Sequence, residues 1–229
     1  MSKHVFEFYH KNTAPMTEAY NALRANIQFS CKGKEIKTLS VVSAVPYEGR
    51  TTVAINLAMS FANDGKKVLF LDTDLRKPGV AKKAFTHFSD GLTEYILGKA
   101  SFDNIIFTTN IERMSYTSCG GRTPFPSEML TSEEFDRFML QVRNQFDYII
   151  LDTPSVNSVI DASILSAKAD GTIMVISSGK TSHKNFSQAK DQLTQANANI
   201  LGVVVNKLSK HEYNKYFDYY SRFDVKKGK

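Results

Sequence analysis

Five apolar runs rich in β-branched side chains recur along the chain: TLSVVSAV (38–45), KVLFLDTD (67–74), YIILDTP (148–154), GTIMVISS (171–178) and NILGVVVNKL (199–208). They are continuous rather than alternating, which suits strands covered on both faces and hence a parallel sheet. Between them, residues 51–63, 91–98, 131–145, 161–168 and 183–197 carry helical spacing. The alternation predicts a three-layer α/β domain with a mostly parallel central sheet. In open sheets of this kind ligands sit at the carboxyl ends of the strands. The segment 44–52, the pair Asp72/Asp74 and Asp152 all fall there. No repeat or linker divides the chain. Residues 1–208 read as one domain, with 1–15 an extension to it and 209–229 a flexible tail.

Composition narrows the class without naming a function. The 42% hydrophobic and 23% charged fractions of the 229 residues exclude a disordered or fibrous chain. Two cysteines, Cys31 and Cys119, form no CxxC pair, so neither a disulfide framework nor a zinc site is expected. No apolar stretch approaches the roughly 18 residues that span a bilayer, and MSKHVFEFYHKNTAP lacks the apolar centre of a signal peptide. A cytoplasmic protein is expected. The net charge of +6 is concentrated late: from Lys207 onward seven Lys/Arg face three Asp/Glu. Such a tail suits an anionic membrane face or nucleic acid.

The stretch VVSAVPYEGRTT (41–52) enters as a strand and leaves as a helix, with Gly49-Arg50-Thr51 at the spacing of a phosphate loop. Such loops work because successive backbone N–H groups and a helix N-terminus point at phosphate oxygens. Gly49 keeps the close backbone approach, and Thr51 and Thr52 supply hydroxyls. Ala44 stands where the first glycine is usual, Tyr47 where a glycine is common, and Arg50 in place of the lysine. Arginine retains charge and donors on a bulkier planar fork. Two apolar runs end near this loop in three carboxylates, Asp72 and Asp74 on one and Asp152 on the other, suited to Mg²⁺ and to activating a hydroxyl nucleophile.

The combination VVSAVPYEGRTT, FLDTDLRKP and FDYIILDTPSV resembles the bacterial tyrosine kinases of capsule and exopolysaccharide synthesis, from about Thr17 to Leu208. TEAYNALRANIQF (17–29) is similar to their N-terminal helix, PFPSEML (124–130) to their P-N-P-S-E-L segment, and ILGVVVNKL (200–208) to their last strand. The resemblance implies a P-loop fold of the MinD/ParA branch and ATP and Mg²⁺ as cofactors. Pro46, Tyr47, Glu48, Gly49, Arg50, Thr51 and Thr52 then fall on the nucleotide loop, and Asn206 on the base contact. Thr51, Asp72 and Asp152 fall on the metal contacts, and Asp72, Asp74 and Arg50 on the catalytic positions. Arg76 and Lys77 match the family's R-K-P segment.

The tail HEYNKYFDYYSRF places Tyr213, Tyr216, Tyr219 and Tyr220 where the family autophosphorylates. Glu18 and Arg24 match its subunit-contact motif, with Asn21 in place of the middle arginine. A homo-oligomer such as a ring, a membrane-bound polysaccharide co-polymerase as activator and a tyrosine phosphatase are the implied partners. The activator would recruit the chain to the inner face of the membrane, and nucleic acid is not an expected partner. Two other readings stay open on the residues: a catalytically weakened scaffold docking on that membrane partner, and a ParA/MinD-type partitioning ATPase. Phosphotyrosine formation separates the kinase from the partitioning ATPase, and the scaffold predicts that Arg50→Ala and Asp74→Asn leave polysaccharide production unchanged.

Overall fold

The computed structural model describes residues 5–8, 13–30, 33, 35–77, 90–209 and 211–212. Strand β1 (Val5–Phe6) precedes helix α1 (Ala14–Ser30), and β2 (Thr38–Ser43) leads into α2 (Arg50–Asn63) and β3 (Val68–Asp72). Two short helices, α3 (Leu92–Ile96) and α4 (Phe102–Ile105), come before β4 (Phe107–Thr109) and β5 (Met114–Thr117). Then follow α5 (Pro126–Leu130), α6 (Glu133–Gln145), β6 (Tyr148–Asp152), α7 (Asp161–Lys168), β7 (Gly171–Ser177), α8 (His183–Gln195) and β8 (Ile200–Asn206). The eight strands form one sheet in the order β1-β4-β5-β3-β6-β2-β7-β8. Every neighbouring pair is parallel except β4 and β5. This is the mostly parallel α/β sheet that the apolar runs predict.

Every residue of β2 and β3 is buried, because alternate side chains enter two different apolar layers. Val68 and Phe70 join the cluster of Val53, Leu57 and Phe61 from α2. Leu69 and Leu71 join Phe135, Phe138 and Val142 from α6 on the opposite face. A third cluster seats Ala189 and Leu193 of α8 against Val42 and Met174. Each fully buried Leu, Val or Phe contributes about 1.5–3 kcal/mol relative to exposure.

The helix boundaries differ from expectation for local reasons. Helix α6 starts behind Ser132, whose hydroxyl accepts the N–H of Phe135 at 3.2 Å. The expected helix over 183–197 stops at Gln195 because Asn197 turns left-handed at φ 58°, and the N–H of Ala198 reaches back to the Leu193 carbonyl at 2.9 Å. Of the N-terminal residues expected as an extension, Val5 and Phe6 instead form strand β1 of the sheet. Phe6 and Phe8 are buried, and Phe6 lies 4.2 Å from the ring of Tyr116 between centroids. Strands β4 and β5 were not expected. They are only three and four residues long and partly polar, too short to register as apolar runs.

Candidate active site

The carboxyl ends of β2, β3, β6, β7 and β8 converge on one edge of the sheet, and the loop from β2 to α2 crosses it. Gly49 caps α2 with φ 94°. A Cβ there would lie 2.1 Å from Asn206 Nδ2, so the position requires glycine both for its backbone and for space. Tyr47 also adopts a left-handed conformation, φ 66°, and its side chain is 92% exposed. The aromatic group thus stays outside the loop, at a backbone cost of about 1–2 kcal/mol.

Glu48 departs from the expected nucleotide contact, because its side chain is buried beneath the loop. Its carboxyl accepts the Val45 N–H at 2.9 Å and the Thr181 hydroxyl, and Glu48 is not among the residues that line the cleft. Asn206 serves as a buttress: its Nδ2 donates to the Glu48 carbonyl at 2.9 Å. Beside it, Lys207 Nζ donates to the Tyr47 carbonyl.

Beneath the loop, β3 and β6 lie in register so that Asp72 and Asp152 stand opposite one another, both buried. The chain turns immediately after Asp72, and the Asp74 N–H donates to the Asp72 carboxyl at 3.1 Å. Asp74 therefore leaves the strand and lines the cleft above. Burial raises the Asp74 carboxyl above the ordinary carboxylate range, and the Lys77 N–H and the Arg50 charge only partly offset this.

Arg50 is engaged on three sides. Its Nε donates to the Thr153 carbonyl, its NH1 to Ser43 Oγ at 2.9 Å, and its NH2 lies 4.0 Å from Asp74 Oδ2. With Arg76, Lys77 and Lys207 it makes the lining of a cleft of about 460 Å³ strongly cationic, against the single carboxylate of Asp74. Pro46, Tyr47, Gly49, Thr51 and Thr52 complete one wall, and Pro154, Ser155, Ser158 and Val159 another. A glycine-lined, cationic cleft suits a polyphosphate. The Thr51 hydroxyl with the Asp72 and Asp152 carboxyls is an all-oxygen donor set of the kind Mg²⁺ takes. The residues fit Mg²⁺-nucleotide.

Sequence reasoning missed several supports. Arg76 forms a bidentate pair with Asp161, Nε to Oδ2 at 2.7 Å and NH2 to Oδ1 at 3.1 Å. Ser127 Oγ donates to the same Asp161 Oδ1 at 2.7 Å, tying the start of α7 to α5 and the β3 loop. Asp161 and Ser127 lie 85 and 51 residues from Arg76 and follow no readable spacing. Among the expected subunit contacts, Glu18 is exposed. Arg24 is instead used inside the chain: it pairs with Asp64 at 2.7 Å and donates to Ser60, while Asn21 accepts the Ser60 hydroxyl. These three bind α1 to α2. Tyr213, Tyr216, Tyr219 and Tyr220 lie outside the described residues.

Residues 37–208 match the family model of the AAA domain. The chain is 39% identical over 203 residues to the tyrosine-protein kinase YwqD of Bacillus subtilis, covering 87% of this chain and 86% of that protein. It superposes on the kinase domain of the Escherichia coli tyrosine kinase ETK with a TM-score of 0.81 at 28% identity, over 89% of this chain and 83% of that one. The septum site-determining protein MinD from Pyrococcus horikoshii, solved with Mg-ADP, shares the fold with a TM-score of 0.64 at 20% identity, over 77% and 73% of the two chains.

Proposed function

The chain belongs to the bacterial tyrosine-protein kinases built on an AAA domain, and from that premise we propose that it transfers the γ-phosphoryl group of ATP to tyrosines of its own C-terminal segment. The observation that carries the reading is the register of Asp72 with Asp152 at the ends of β3 and β6, with Asp74, two residues beyond, lining the cationic cleft together with the left-handed Gly49 loop. The γ-phosphorus-to-oxygen bond to ADP breaks as a bond to a tyrosine oxygen forms, and the phenolic proton passes to Asp74. A carboxyl raised by burial is the better proton acceptor. Backbone N–H groups of residues 47–51 and the guanidinium of Arg50 stabilise charge on the transferring group. Thr51, Asp72 and Asp152 hold Mg²⁺, which neutralises phosphate charge when bound. Arg76, fixed by Asp161, keeps the β3 loop and hence Asp74 in place.

We further infer that the acceptors are Tyr213, Tyr216, Tyr219 and Tyr220, offered to a neighbouring copy in a homo-oligomer. Each phosphate adds about −1.5 to −2 charge to a basic segment, reversing its character. The process served is capsular or extracellular polysaccharide synthesis. The activator is a membrane-bound co-polymerase that holds the chain at the inner membrane face, and a tyrosine phosphatase resets it. Among the described residues no helix is long and apolar enough to cross a membrane.

The test is incubation of the full chain with Mg²⁺-ATP and mapping of phosphotyrosine by mass spectrometry, beside Asp74→Asn. Phosphate on the tail tyrosines that disappears in the variant is the expected result. Inorganic phosphate release without phosphotyrosine would make the chain a partitioning-type ATPase. No nucleotide binding at millimolar concentration, in folded protein, would leave a scaffold.

A further inference from the structure

The turn between β7 and α8, residues 177–181, joins three parts of the molecule that are distant in sequence. Thr181 Oγ1 accepts the Ser177 N–H at 2.9 Å and donates to the Glu48 carboxyl. The other oxygen of that carboxyl accepts the Val45 N–H at 2.9 Å. Glu48 therefore closes the phosphate loop across its neck, 133 residues away from the hydroxyl that holds it. A carboxyl buried to 2% exposure is tolerated only when its oxygens are satisfied. Removing the Thr181 hydroxyl leaves one of them short, and the loop must then move or admit water.

Ser178 continues the connection outward. Its N–H donates to the Asn206 carbonyl at 2.9 Å, and its hydroxyl donates to Glu212 Oε1 at 2.7 Å. Glu212 and Ser209 form a reciprocal capping pair: the Ser209 N–H reaches Glu212 Oε2 at 2.8 Å, and the Glu212 N–H reaches Ser209 Oγ at 3.2 Å. The hydrogen bonds from Ser178 and then Ser209 hold the Glu212 carboxyl down at a pKa of about 2. The carboxyl is thus ionised at neutral pH, the form that accepts these bonds best. Residue 212 is the last before the tyrosine cluster begins.

We propose that Thr181 is a positioning residue for the nucleotide: it holds Glu48, and through it the phosphate loop, while Ser178 in the same turn fastens the root of the tyrosine-bearing segment to that support. The inference rests on the kinase reading and assigns a role to a turn that touches no substrate itself. A structural turn would tolerate Thr181→Val with a change in melting temperature only. A positioning turn transmits the loss to nucleotide affinity.

The experiment is calorimetric titration of the full chain with Mg²⁺-ADP for the wild type, Thr181→Val, Thr181→Ser, Glu48→Gln and the Glu48→Gln/Thr181→Val double variant. Thr181→Val is expected to weaken binding about tenfold, near 1.4 kcal/mol, and Thr181→Ser to stay within about twofold of the wild type. The double variant is expected to lose no more than the weaker of its two single variants, since both act through one contact. Ser178→Ala is expected to weaken binding about two- to threefold. Wild-type affinity in Thr181→Val, equal loss in the valine and serine variants, or additive loss in the double variant would each overturn the assignment. A wild type that binds no nucleotide would overturn the kinase reading beneath it.

Discussion

The Arg50 guanidinium stands 4.0 Å from the Asp74 carboxylate while its other nitrogens bond the Thr153 carbonyl and Ser43. One side chain thus links the ends of β2 and β6 to the candidate base. Engaging a phosphate means loosening some of these bonds. Hydrogen bonds to charged groups contribute about 1.5–3 kcal/mol each, so the arginine loop trades phosphate contacts for internal ones. Arg50→Lys, a single mobile point charge, is expected to bind Mg²⁺-ADP at least as tightly as the wild type. Arg50→Ala is expected to weaken it about 10- to 100-fold. Parallel titrations of the three proteins decide the matter, and unchanged affinity in the alanine variant would remove Arg50 from the phosphate site.

The same pair sets a pH dependence. Burial raises the Asp74 carboxyl above its ordinary value, and the Arg50 charge pulls it partly back. A base must be deprotonated, so the phosphorylation rate is expected to fall on the acid side through this raised pKa. Removing the neighbouring positive charge raises the pKa further. Arg50→Ala is therefore expected to move the acid limb to higher pH. Initial rates of phosphotyrosine formation across pH 4.5–8 measure it, and an acid limb at the same pH in both proteins would assign the titration elsewhere.

Gly49→Ala is expected to abolish nucleotide binding and to destabilise the fold by about 1–3 kcal/mol. Its φ of 94° disfavours any Cβ, and that Cβ would meet Asn206 Nδ2 at 2.1 Å. Asn206→Ala in the same chain relieves the contact but not the backbone, so it is expected to recover only part of the stability. Urea denaturation of the single and double variants separates the two contributions.

Asp170 lends the sheet an acid-sensitive clamp. Burial pushes its carboxyl up, but hydrogen bonds from Arg143 and from the N–H groups of Thr38 and Lys37 outweigh that and leave it below the ordinary range. With the folded value below the unfolded one, the clamp stabilises above the unfolded pKa and is lost as pH falls through the folded one. Asp170→Asn is expected to cost about 1–3 kcal/mol at pH 7. The gap to the wild type should close as pH falls below about 4. Melting curves at pH 7 and pH 3.5 test this, and a gap that does not change with pH would mean the charge is not the cause.

Phe6→Ala is expected to destabilise the domain by about 3–5 kcal/mol, the range for truncating a buried aromatic side chain. A loss under 1 kcal/mol in chemical denaturation would return the N-terminal segment to the status of an appendage.

The sequence made β2, β3, β6 and β7 legible because burial on both faces turns a strand into a continuous apolar run, as in residues 38–43 and 68–72; β8 carries a similar run although it is the sheet's edge strand and only partly buried. It hid β1, β4 and β5, whose two to four residues carry too little pattern. Phe6 and Phe8 alternate as a strand should, but over four residues that signal is shared by many coils. The chemistry was legible where residues are close in sequence, as in Gly49-Arg50-Thr51 and Asp72-Thr73-Asp74. The supports were not. Asp161 under Arg76 and Thr181 under Glu48 meet across 85 and 133 residues through bends at strand ends. Asn21 reads as a lost arginine in the sequence, yet its amide serves the packing of α1 on α2 through Ser60.

Strand β8 ends in Asn206, and the next residue is Lys207; both grip carbonyls of the phosphate loop. They lie between the sheet and the Glu212 contact that Ser178 makes at the root of the tyrosine-bearing segment. Mechanically, the edge strand is a tether with the loop tied to its far end. A pull on the residues that follow β8 would be carried into the same two side chains that brace the Glu48 and Tyr47 carbonyls, so the strand end and the phosphate loop move as one.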